Sequence, residues 1–221
     1  MQRKIALVFG ASGLIGKDLV EELCKSDRYN TVKIFVRKRT GLENESKIIE
    51  IISDFDNLKD QSAAISGDDL FICLGTTIKK AGSVQRVDEI DRDLPVQIAT
   101  FASENSVARI AVVSSLGASA ASSNNYLRIK GEMEQGLMKL KFQTSIIARP
   151  SILLGKRGER RPLEEISKSA MKILGLLLIG RLKKYRGIQG KVVSIAMIKA
   201  INIKTGIHIL ESDVLQQIYS N

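Results

Sequence analysis

Short apolar runs alternate with stretches of helical spacing along the first 150 residues of the chain. The apolar runs are bounded by glycine or polar residues, which is typical of parallel strands that are covered on both faces of a sheet. We predict such strands at residues 5–9, 31–36, 47–52, 70–74, 108–113 and 144–148. Helices are predicted between them at 17–26, 57–65, 84–90, 94–105 and 124–141, with a basic, mobile loop at 78–83. This alternation indicates an α/β fold with a doubly wound parallel sheet.

The last third of the chain has a different pattern. Residues 151–162 are predicted to form a basic loop that contains glycine, and residues 163–179 have helical spacing. A helix at 192–203, a short strand at 206–210 and a final helix at 211–219 complete the prediction. Because 221 residues suit one α/β domain, we expect a single domain over 1–221. Within it, residues 151–205 are expected to form a small helical cap on the substrate side.

Composition and charge restrict the class of partner. Hydrophobic residues make up 44% and charged residues 26% of the chain, as in ordinary globular proteins. The net charge of +10 suits contact with nucleic acid or anionic membranes, and equally an enzyme that attracts a polyanionic cofactor. Because aromatic residues are only 5% and tryptophan is absent, we expect no nucleic-acid partner.

Several features predict a cytoplasmic protein without a metal centre. The chain begins with a strand rather than a signal peptide, and its two cysteines lie far apart in apolar segments, as reduced thiols do. The single histidine, His208, lies in a strand-like run and is interpreted as a core or edge residue. The longest apolar run, 173–179, is much shorter than the ~20 residues that a membrane-spanning helix needs.

Residues 168–186 combine this apolar run with a group of cations. Such a segment could rest on an anionic membrane. We favour instead a helix that closes the substrate pocket, because a cap over a crevice also needs an apolar face. No stable membrane association is therefore expected.

A turn rich in glycine follows the first predicted strand directly. Its spacing, GxxGxxG over residues 10–16, differs from the common GxGxxG pattern. Gly10 allows a sharp turn, Gly13 lets backbone approach a phosphate, and Gly16 allows close packing of helix and strand. The following helix offers free N–H groups to a pyrophosphate, so a dinucleotide site is predicted, with a tight turn without ligand as the alternative. The predicted binding residues here are Gly10, Ser12, Gly13, Leu14, Ile15 and Gly16.

Basic residues follow the second predicted strand. An NAD-dependent protein usually carries an acidic residue at this point, roughly 20 residues beyond the glycine turn, to bind the ribose 2′-hydroxyl. Here the chain has Arg37, Lys38 and Arg39 instead. Cations at this position would pair with a 2′-phosphate. We therefore predict NADP(H) as the cofactor, bound by Arg37 and Lys38, with a solvated basic loop as the alternative.

The ends of two further strands are expected to contribute to the cofactor site. Asp54 and Phe55 follow the third strand, where a side-chain acceptor and an apolar contact could hold an adenine ring. The segment Leu74-Gly75-Thr76-Thr77 forms the end of the fourth strand. Ligands of open α/β sheets bind outside the carboxyl ends of the strands, so this segment should line the crevice.

A Tyr-x-x-x-Lys pattern on a predicted helix supplies candidate catalytic groups. Tyr126 and Lys130 are four residues apart and therefore lie on one helical face. A cation near a phenol favours phenolate, so Tyr126 could exchange a proton with an oxygen that takes part in hydride transfer. Lys130 could also hold the nicotinamide ribose, and Ser115 could donate a hydrogen bond to the same substrate oxygen. Ser114 is a rival for that role because the two serines are adjacent.

Together these residues resemble the short-chain dehydrogenase/reductase superfamily, in its extended or atypical form. Within it, the chain resembles the subgroup of the HIV Tat-interacting protein and its bacterial homologues, over residues 4 to about 165. The motifs that carry this resemblance are Cys73-Leu74-Gly75-Thr76-Thr77, Lys80-Ala81-Gly82, Asp91-Arg92-Asp93, Ser114-Ser115-Leu116-Gly117-Ala118, Tyr126-Leu127-Arg128-Ile129-Lys130-Gly131-Glu132 and Arg149-Pro150.

The resemblance implies an NAD(P)-binding Rossmann fold with NADPH in the crevice. It implies Ser115, Tyr126 and Lys130 as the catalytic residues. It further implies that the cofactor contacts Ser114, and that Arg149, Pro150 and Ile152 flank the nicotinamide. Extended members often have a larger substrate domain than the last third of this chain provides, which argues against a true epimerase.

Two functions are compatible with these predictions. The first is an NADPH-dependent oxidoreductase that acts on a small carbonyl or alcohol, with Tyr126 as the proton donor. The alternative is an NADPH-binding regulatory or redox-sensing protein that acts through a protein partner with little or no catalysis. Fold alone does not distinguish them. The complete Ser115, Tyr126 and Lys130 set favours the enzyme, because a sensor has no need of it.

Overall fold

In the computed structural model, the chain is described over residues 3–42, 45–155, 178 and 180–221. The strands of its central sheet are β1 (Lys4–Phe9), β2 (Tyr29–Val36), β3 (Ile48–Ile52), β4 (Asp69–Ile72), β5 (Arg109–Val113), β6 (Thr144–Arg149) and β9 (Gly206–Glu211). Two short strands, β7 (Leu153–Leu154) and β8 (Ile188–Gln189), form a separate parallel pair.

The α-helices are α1 (Leu14–Lys25), α2 (Ile78–Ala81), α3 (Val84–Asp88), α4 (Leu94–Glu104), α5 (Asn125–Met138), α6 (Gly190–Ile203) and α7 (Ser212–Ser220). Residues Phe55–Ala64 and Gly180–Tyr185 are 3₁₀-helical, and a π-helical turn at Glu89–Asp93 joins α3 to α4. The prediction of a loop at 78–83 is wrong in part, because four of these residues form α2. The Thr77 side chain caps this helix. The helix predicted at 163–179 lies almost entirely outside the described residues.

The seven-stranded sheet has the order β3-β2-β1-β4-β5-β6-β9, and each described pair of neighbours is parallel. The direction of winding reverses between β1 and β4. At such a reversal the connections leave to opposite sides and open a crevice at the carboxyl ends of the strands. The predicted doubly wound α/β fold is therefore confirmed.

Apolar side chains from both sheet faces form two core layers. On one face the sheet packs against α1, α6 and α7, through residues such as Leu19, Val193 and Leu215. On the other face it packs against the 3₁₀-helix Phe55–Ala64, α4 and α5. The strands are apolar on both sides because both sides are covered, which explains their continuous rather than alternating hydrophobic pattern. Helix α6, within the predicted cap of 151–205, lies against α1 in the first layer.

A buried polar cluster ties the amino ends of the central strands together. The Asp69 carboxylate is fully buried and accepts hydrogen bonds from Arg109 Nε at 2.5 Å and the Tyr29 hydroxyl at 2.6 Å. Lys4 Nζ lies 3.6 Å from the same carboxylate, and Asn202 of α6 donates to the Tyr29 hydroxyl at 3.1 Å. Burial, together with the neighbouring Asp69 carboxylate, raises the pKa of Tyr29. This cluster lies at the opposite end of the sheet from the crevice, so we interpret it as stabilising.

Candidate functional site

The turn between β1 and α1 depends on glycine residues, because there is no space for a Cβ atom at two of its positions. Gly10 has a φ of +86°, and a Cβ there would lie 2.5 Å from the carbonyl oxygen of Cys73. A Cβ at Gly16 would lie 2.0 Å from the carbonyl oxygen of Gly10. Both distances are far shorter than van der Waals contact. The turn, the start of α1 and the end of β4 can therefore pack together only with glycine at these two positions.

The first turn of α1 retains donors for an anion. Gly13 is the N-cap, and its N–H donates to the Gly10 carbonyl at 3.0 Å. Among the described residues, no side chain caps this helix, and its first turn contains no acidic residue. Ser12 is exposed, Leu14 is half-buried and Ile15 is buried. Free N–H groups and the positive end of a helix dipole suit a phosphate, so the turn fits the pyrophosphate of a dinucleotide.

The end of β4 lies beside this turn, as predicted. The Cys73 N–H donates to the Phe9 carbonyl at 2.8 Å, which brings the segment 74–77 next to the end of β1. The Thr76 N–H in turn donates to the Asp91 carboxylate, with its two oxygens at 3.2 and 3.4 Å. Asp91 belongs to the π-helical turn and is fully buried. A carboxylate that sequence reasoning did not select thus holds the predicted cofactor segment.

The residues predicted to hold adenine have local structural partners. The Asp54 carboxylate accepts from the Asn57 side-chain amide at 2.8 Å and from the Asp56 N–H at 3.1 Å, so it caps the 3₁₀-helix. These hydrogen bonds lower the pKa of Asp54. Phe55 is half-buried, with its ring centroid 6.0 Å from that of Phe9. Contact of Asp54 and Phe55 with a cofactor stays a prediction.

The cations predicted to select NADP(H) lie at the surface. Arg37 and Lys38 follow β2 directly and are exposed. Strand β2 neighbours β1, whose carboxyl end carries the glycine turn. A ligand that extends from the turn towards β2 would therefore meet both side chains, but contact with a 2′-phosphate stays a prediction.

Helix α5 carries the predicted Tyr126 and Lys130. Asn124 caps this helix by accepting from the Leu127 N–H at 3.2 Å, which places Tyr126 in the first turn. Tyr126 is 46% exposed, whereas the Lys130 side chain is only 4% exposed. Lys130 Nζ lies 3.4 Å from the Asp91 carboxylate. Because the same carboxylate accepts from Thr76, Asp91 joins the candidate catalytic helix to the candidate cofactor segment.

The loop after β5 lies directly against α5. A Cβ on Gly131 would lie 2.2 Å from the backbone nitrogen of Ala120, so only glycine lets this loop approach the helix. The Leu116 N–H donates to the Pro150 carbonyl at 3.0 Å, which links the loop to the end of β6. Ser115 directly precedes Leu116, the point at which the loop is attached to β6, and is half-buried.

Ser114 and Arg149 both bind one buried carboxylate on α5. The Ser114 hydroxyl donates to Glu134 Oε1, and Arg149 donates through Nε at 2.9 Å and through its terminal nitrogen at 2.5 Å. Ser114 and Glu134 are 3% and 2% exposed. Hydrogen bonding to Glu134 raises the pKa of Arg149. The adjacent serines therefore have different surroundings, which sequence reasoning did not anticipate.

The structure brings most of the predicted residues to one edge of the sheet. The glycine turn, residues 74–77, the two serines and Arg149 follow the carboxyl ends of β1, β4, β5 and β6, which are adjacent in the sheet. Pro150 is buried in this group, whereas Ile152 is 50% exposed. These predicted residues therefore follow one edge of the sheet, with Ile152 at its margin, and their contact with a cofactor stays a prediction.

Asp91, Gly131 and Glu134 were assigned no role from the sequence, although Asp91 and Gly131 lie in motifs that carry the family resemblance. Glu134 follows Lys130 by four residues, as Lys130 follows Tyr126, so a polar stripe along one helical face was visible. A glycine inside a predicted helix costs about 1 kcal/mol relative to alanine, which signals a packing requirement at Gly131. The motif Asp91-Arg92-Asp93 marked Asp91, but the π-helical turn that buries it breaks the helical spacing, so its contacts with Thr76 and Lys130 were not predictable.

Comparison with known proteins identifies the family. A family model described as NAD(P)H-binding matches residues 10–169. Protein HTATIP2 of Rattus norvegicus is 35% identical over 171 residues, which cover 76% of this chain and 70% of that protein. The mitochondrial protein FMP52 of Candida albicans is 33% identical over 160 residues, covering 71% and 70%. The chain belongs to the NAD(P)H-binding family, and the resemblance predicted from its motifs is confirmed.

Solved structures of low sequence identity share the fold. WbmG of Bordetella bronchiseptica, solved in complex with NAD, has a TM-score of 0.70 at 14% sequence identity. The match covers 99% of this chain and 77% of the WbmG chain. UDP-N-acetylglucosamine 4-epimerase of Methanobrevibacter ruminantium has a TM-score of 0.71 at 17% identity, with coverages of 96% and 77%. These likenesses confirm the Rossmann architecture.

Location in the cell stays a prediction. The related FMP52 proteins are named mitochondrial, so relatives of this chain do not share the predicted cytoplasmic location. In the part of the chain that the structure describes, every helix falls short of the length and apolarity needed to cross a membrane.

Proposed function

We propose that this protein is an NADPH-dependent oxidoreductase that reduces a small carbonyl compound. The observation that carries the proposal is the position of Asp91, whose carboxylate contacts both Thr76 of the candidate cofactor segment and Lys130 of the candidate catalytic helix. This contact holds the two parts next to each other, and hydride transfer coupled to proton transfer needs the cofactor and the proton donor close together. The glycine turn with its uncapped helix supports the dinucleotide half of the proposal.

Each member of the catalytic set has a separate task in the proposed reaction. When bound, NADPH would supply the hydride that forms the new C–H bond. Tyr126 donates the proton of the new O–H bond and regains one from water, so that the products are an alcohol and NADP⁺. Ser115 donates a hydrogen bond to the substrate oxygen, which acquires negative charge as the hydride adds to carbon and the π bond of the carbonyl breaks.

Lys130 is proposed to support Tyr126 and to hold the cofactor ribose. Its ammonium group is buried and needs a counterion, because an unpaired buried charge is strongly unfavourable. Asp91 provides that counterion at 3.4 Å. We propose that the pair holds the ammonium group at the crevice while the Thr76 N–H holds the Asp91 carboxylate in place.

The substrate is proposed to be small. The predicted cap of 151–205 is proposed to lie on the substrate side of a single domain, apart from α6, which packs against α1 in the core. A simple aldehyde or ketone is proposed because its carbonyl oxygen needs only the hydrogen-bond donors Tyr126 and Ser115.

Turnover by the purified chain tests the proposal. A panel of small aldehydes and ketones, with NADPH absorbance as the readout, should reveal oxidation of NADPH that depends on the carbonyl compound. NADPH binding without turnover on any member of the panel would contradict the enzyme and favour the regulatory or redox-sensing alternative. Failure to bind either nicotinamide cofactor would contradict both functions.

Cofactor preference gives a separate prediction. In a double variant, Arg37→Ser with Lys38→Ser, we expect NADPH affinity to fall about 10- to 100-fold, because charge-assisted hydrogen bonds of about 1.5–3 kcal/mol to the 2′-phosphate are lost. NADH affinity should change little. Fluorescence titration measures both, and Lys59→Ser, which removes an exposed cation from the 3₁₀-helix, is the control. Equal affinity of the wild type for NADPH and NADH would contradict the role of Arg37 and Lys38.

A further inference from the structure

Glu134 is the buried acidic residue nearest in sequence to the candidate catalytic lysine on α5. Its side chain is 2% exposed and binds the hydroxyl of Ser114 and the guanidinium of Arg149. Ser114 follows β5 and Arg149 ends β6, so one carboxylate connects the carboxyl ends of two neighbouring strands. The Leu116 N–H to Pro150 carbonyl hydrogen bond connects the same two ends from the other side of Ser115.

We propose that Glu134 is a positioning residue that assigns different roles to the two adjacent serines. Ser114 serves as a structural anchor, and Ser115 is presented to the substrate. The inference rests on the proposed function and deepens it, because the sequence alone leaves the catalytic serine undecided by one position.

The chemistry of the carboxylate supports this assignment. The Ser114 hydroxyl has a single hydrogen, and it donates this hydrogen in a hydrogen bond to Glu134. It therefore has no second hydrogen to donate to a substrate oxygen. A buried carboxylate that lost this donor and Arg149 would be unsatisfied in a dry environment, which holds the arrangement in place. Ser115 lies between Ser114 and Leu116, whose backbone is attached to Pro150. Its half-buried side chain is therefore held by two fixed neighbours.

The serine variants test the assignment directly. We expect Ser115→Ala to lower kcat about 100-fold, because it removes a hydrogen bond to the oxygen on which charge develops. Ser114→Ala should cause a much smaller loss of kcat, together with a lower melting temperature. Affinity for NADPH should stay within about threefold in Ser115→Ala, since a hydrogen bond formed in the reaction does not contribute to cofactor binding. The opposite order of the two kcat losses would overturn the proposal.

Glu134→Gln tests the positioning role, with Glu132→Gln as the matched control. Glu132 lies on the same helix and also pairs with two arginines, Arg92 and Arg128, outside this network. We expect Glu134→Gln to lower kcat about tenfold, the loss expected when a hydrogen bond to a charged group is weakened. The control should retain the wild-type kcat. Equal kcat values for both variants would overturn the proposal.

Hydrogen exchange separates failure of this inference from failure of the proposed function. Without any carbonyl substrate, Glu134→Gln should accelerate exchange in the segments 114–118 and 149–151, and Glu132→Gln should not. Unchanged exchange in both segments would overturn the positioning role whether or not the protein is an oxidoreductase. Accelerated exchange in a protein that does not oxidise NADPH would contradict only the proposed function and leave the structural part of the inference supported.

Discussion

Replacing Tyr126 with phenylalanine is expected to lower the rate of carbonyl reduction by about 100- to 10,000-fold, the range that a positioned general acid contributes. The substitution removes one hydroxyl and leaves the ring in place. Because Tyr126 is 46% exposed in the first turn of α5, loss of its hydroxyl should affect the free energy of unfolding little. The reduced rate would therefore reflect loss of the proton donor.

Kinetics with NADPH and the best carbonyl of the panel measures this effect, and fluorescence titration measures NADPH binding in parallel. Tyr219→Phe is the matched control, because Tyr219 is 41% exposed and lies on α7. A Tyr126→Phe variant that oxidises NADPH as fast as the wild type would exclude Tyr126 as the proton donor.

Among the proposed variants, Asp69→Ala is expected to lower the free energy of unfolding the most. Asp69→Ala leaves the cations Arg109 and Lys4 without their shared counterion and the Tyr29 hydroxyl without its acceptor. Breaking a buried ion pair by removing one partner costs about 3–5 kcal/mol. Because such a loss is a large fraction of the total stability of a domain, part of the protein could unfold at 25 °C.

Urea unfolding at constant pH measures the change in free energy of unfolding. Asp60→Ala, at an exposed position of the 3₁₀-helix, is the control and should change it by less than about 0.5 kcal/mol. The folded fraction of Asp69→Ala should still bind NADPH with wild-type affinity, because the cluster lies at the amino ends of the strands. A loss below about 1 kcal/mol would show that the cluster contributes no more than an exposed ion pair.

Local sequence patterns were sufficient for most of the elements. Continuous apolar runs marked the strands because both sheet faces are covered, and helical spacing marked α1, α4, α5 and α6. The short helix α2 was missed because its cap, Thr77, forms a local hydrogen bond that hydrophobic spacing does not reveal. Irregular segments depend on such single contacts, which a periodic pattern cannot report.

Motifs predicted those residues of the candidate site that have a local geometric requirement. Gly10 needs a positive φ, and Gly16 must leave space for the Gly10 carbonyl, so the turn was recognisable from glycine spacing alone. Tyr126 and Lys130 were recognisable because a helix places residues four apart on one face. These requirements are local, and a sequence records them directly.

The partners of these residues come from distant parts of the chain. Asp91 reaches Lys130 across 39 positions and Thr76 across 15, and Ser114 reaches Glu134 across 20. Such contacts depend on which strands become neighbours and on how each helix is rotated against the sheet. Packing of the whole domain determines both, and a hydrophobic pattern records only which face of an element is buried.

The glycine turn, the basic end of β2 and the Tyr126–Lys130 spacing were therefore accessible from the amino-acid sequence, since each follows from backbone geometry or charge over a few residues. The buried pairing of Lys130 with Asp91, the binding of Ser114 and Arg149 by Glu134 and the Asp69 cluster were accessible only from the folded chain. The physical reason is that a buried charge must find its counterion in three dimensions, so its partner is set by the packing of whole elements.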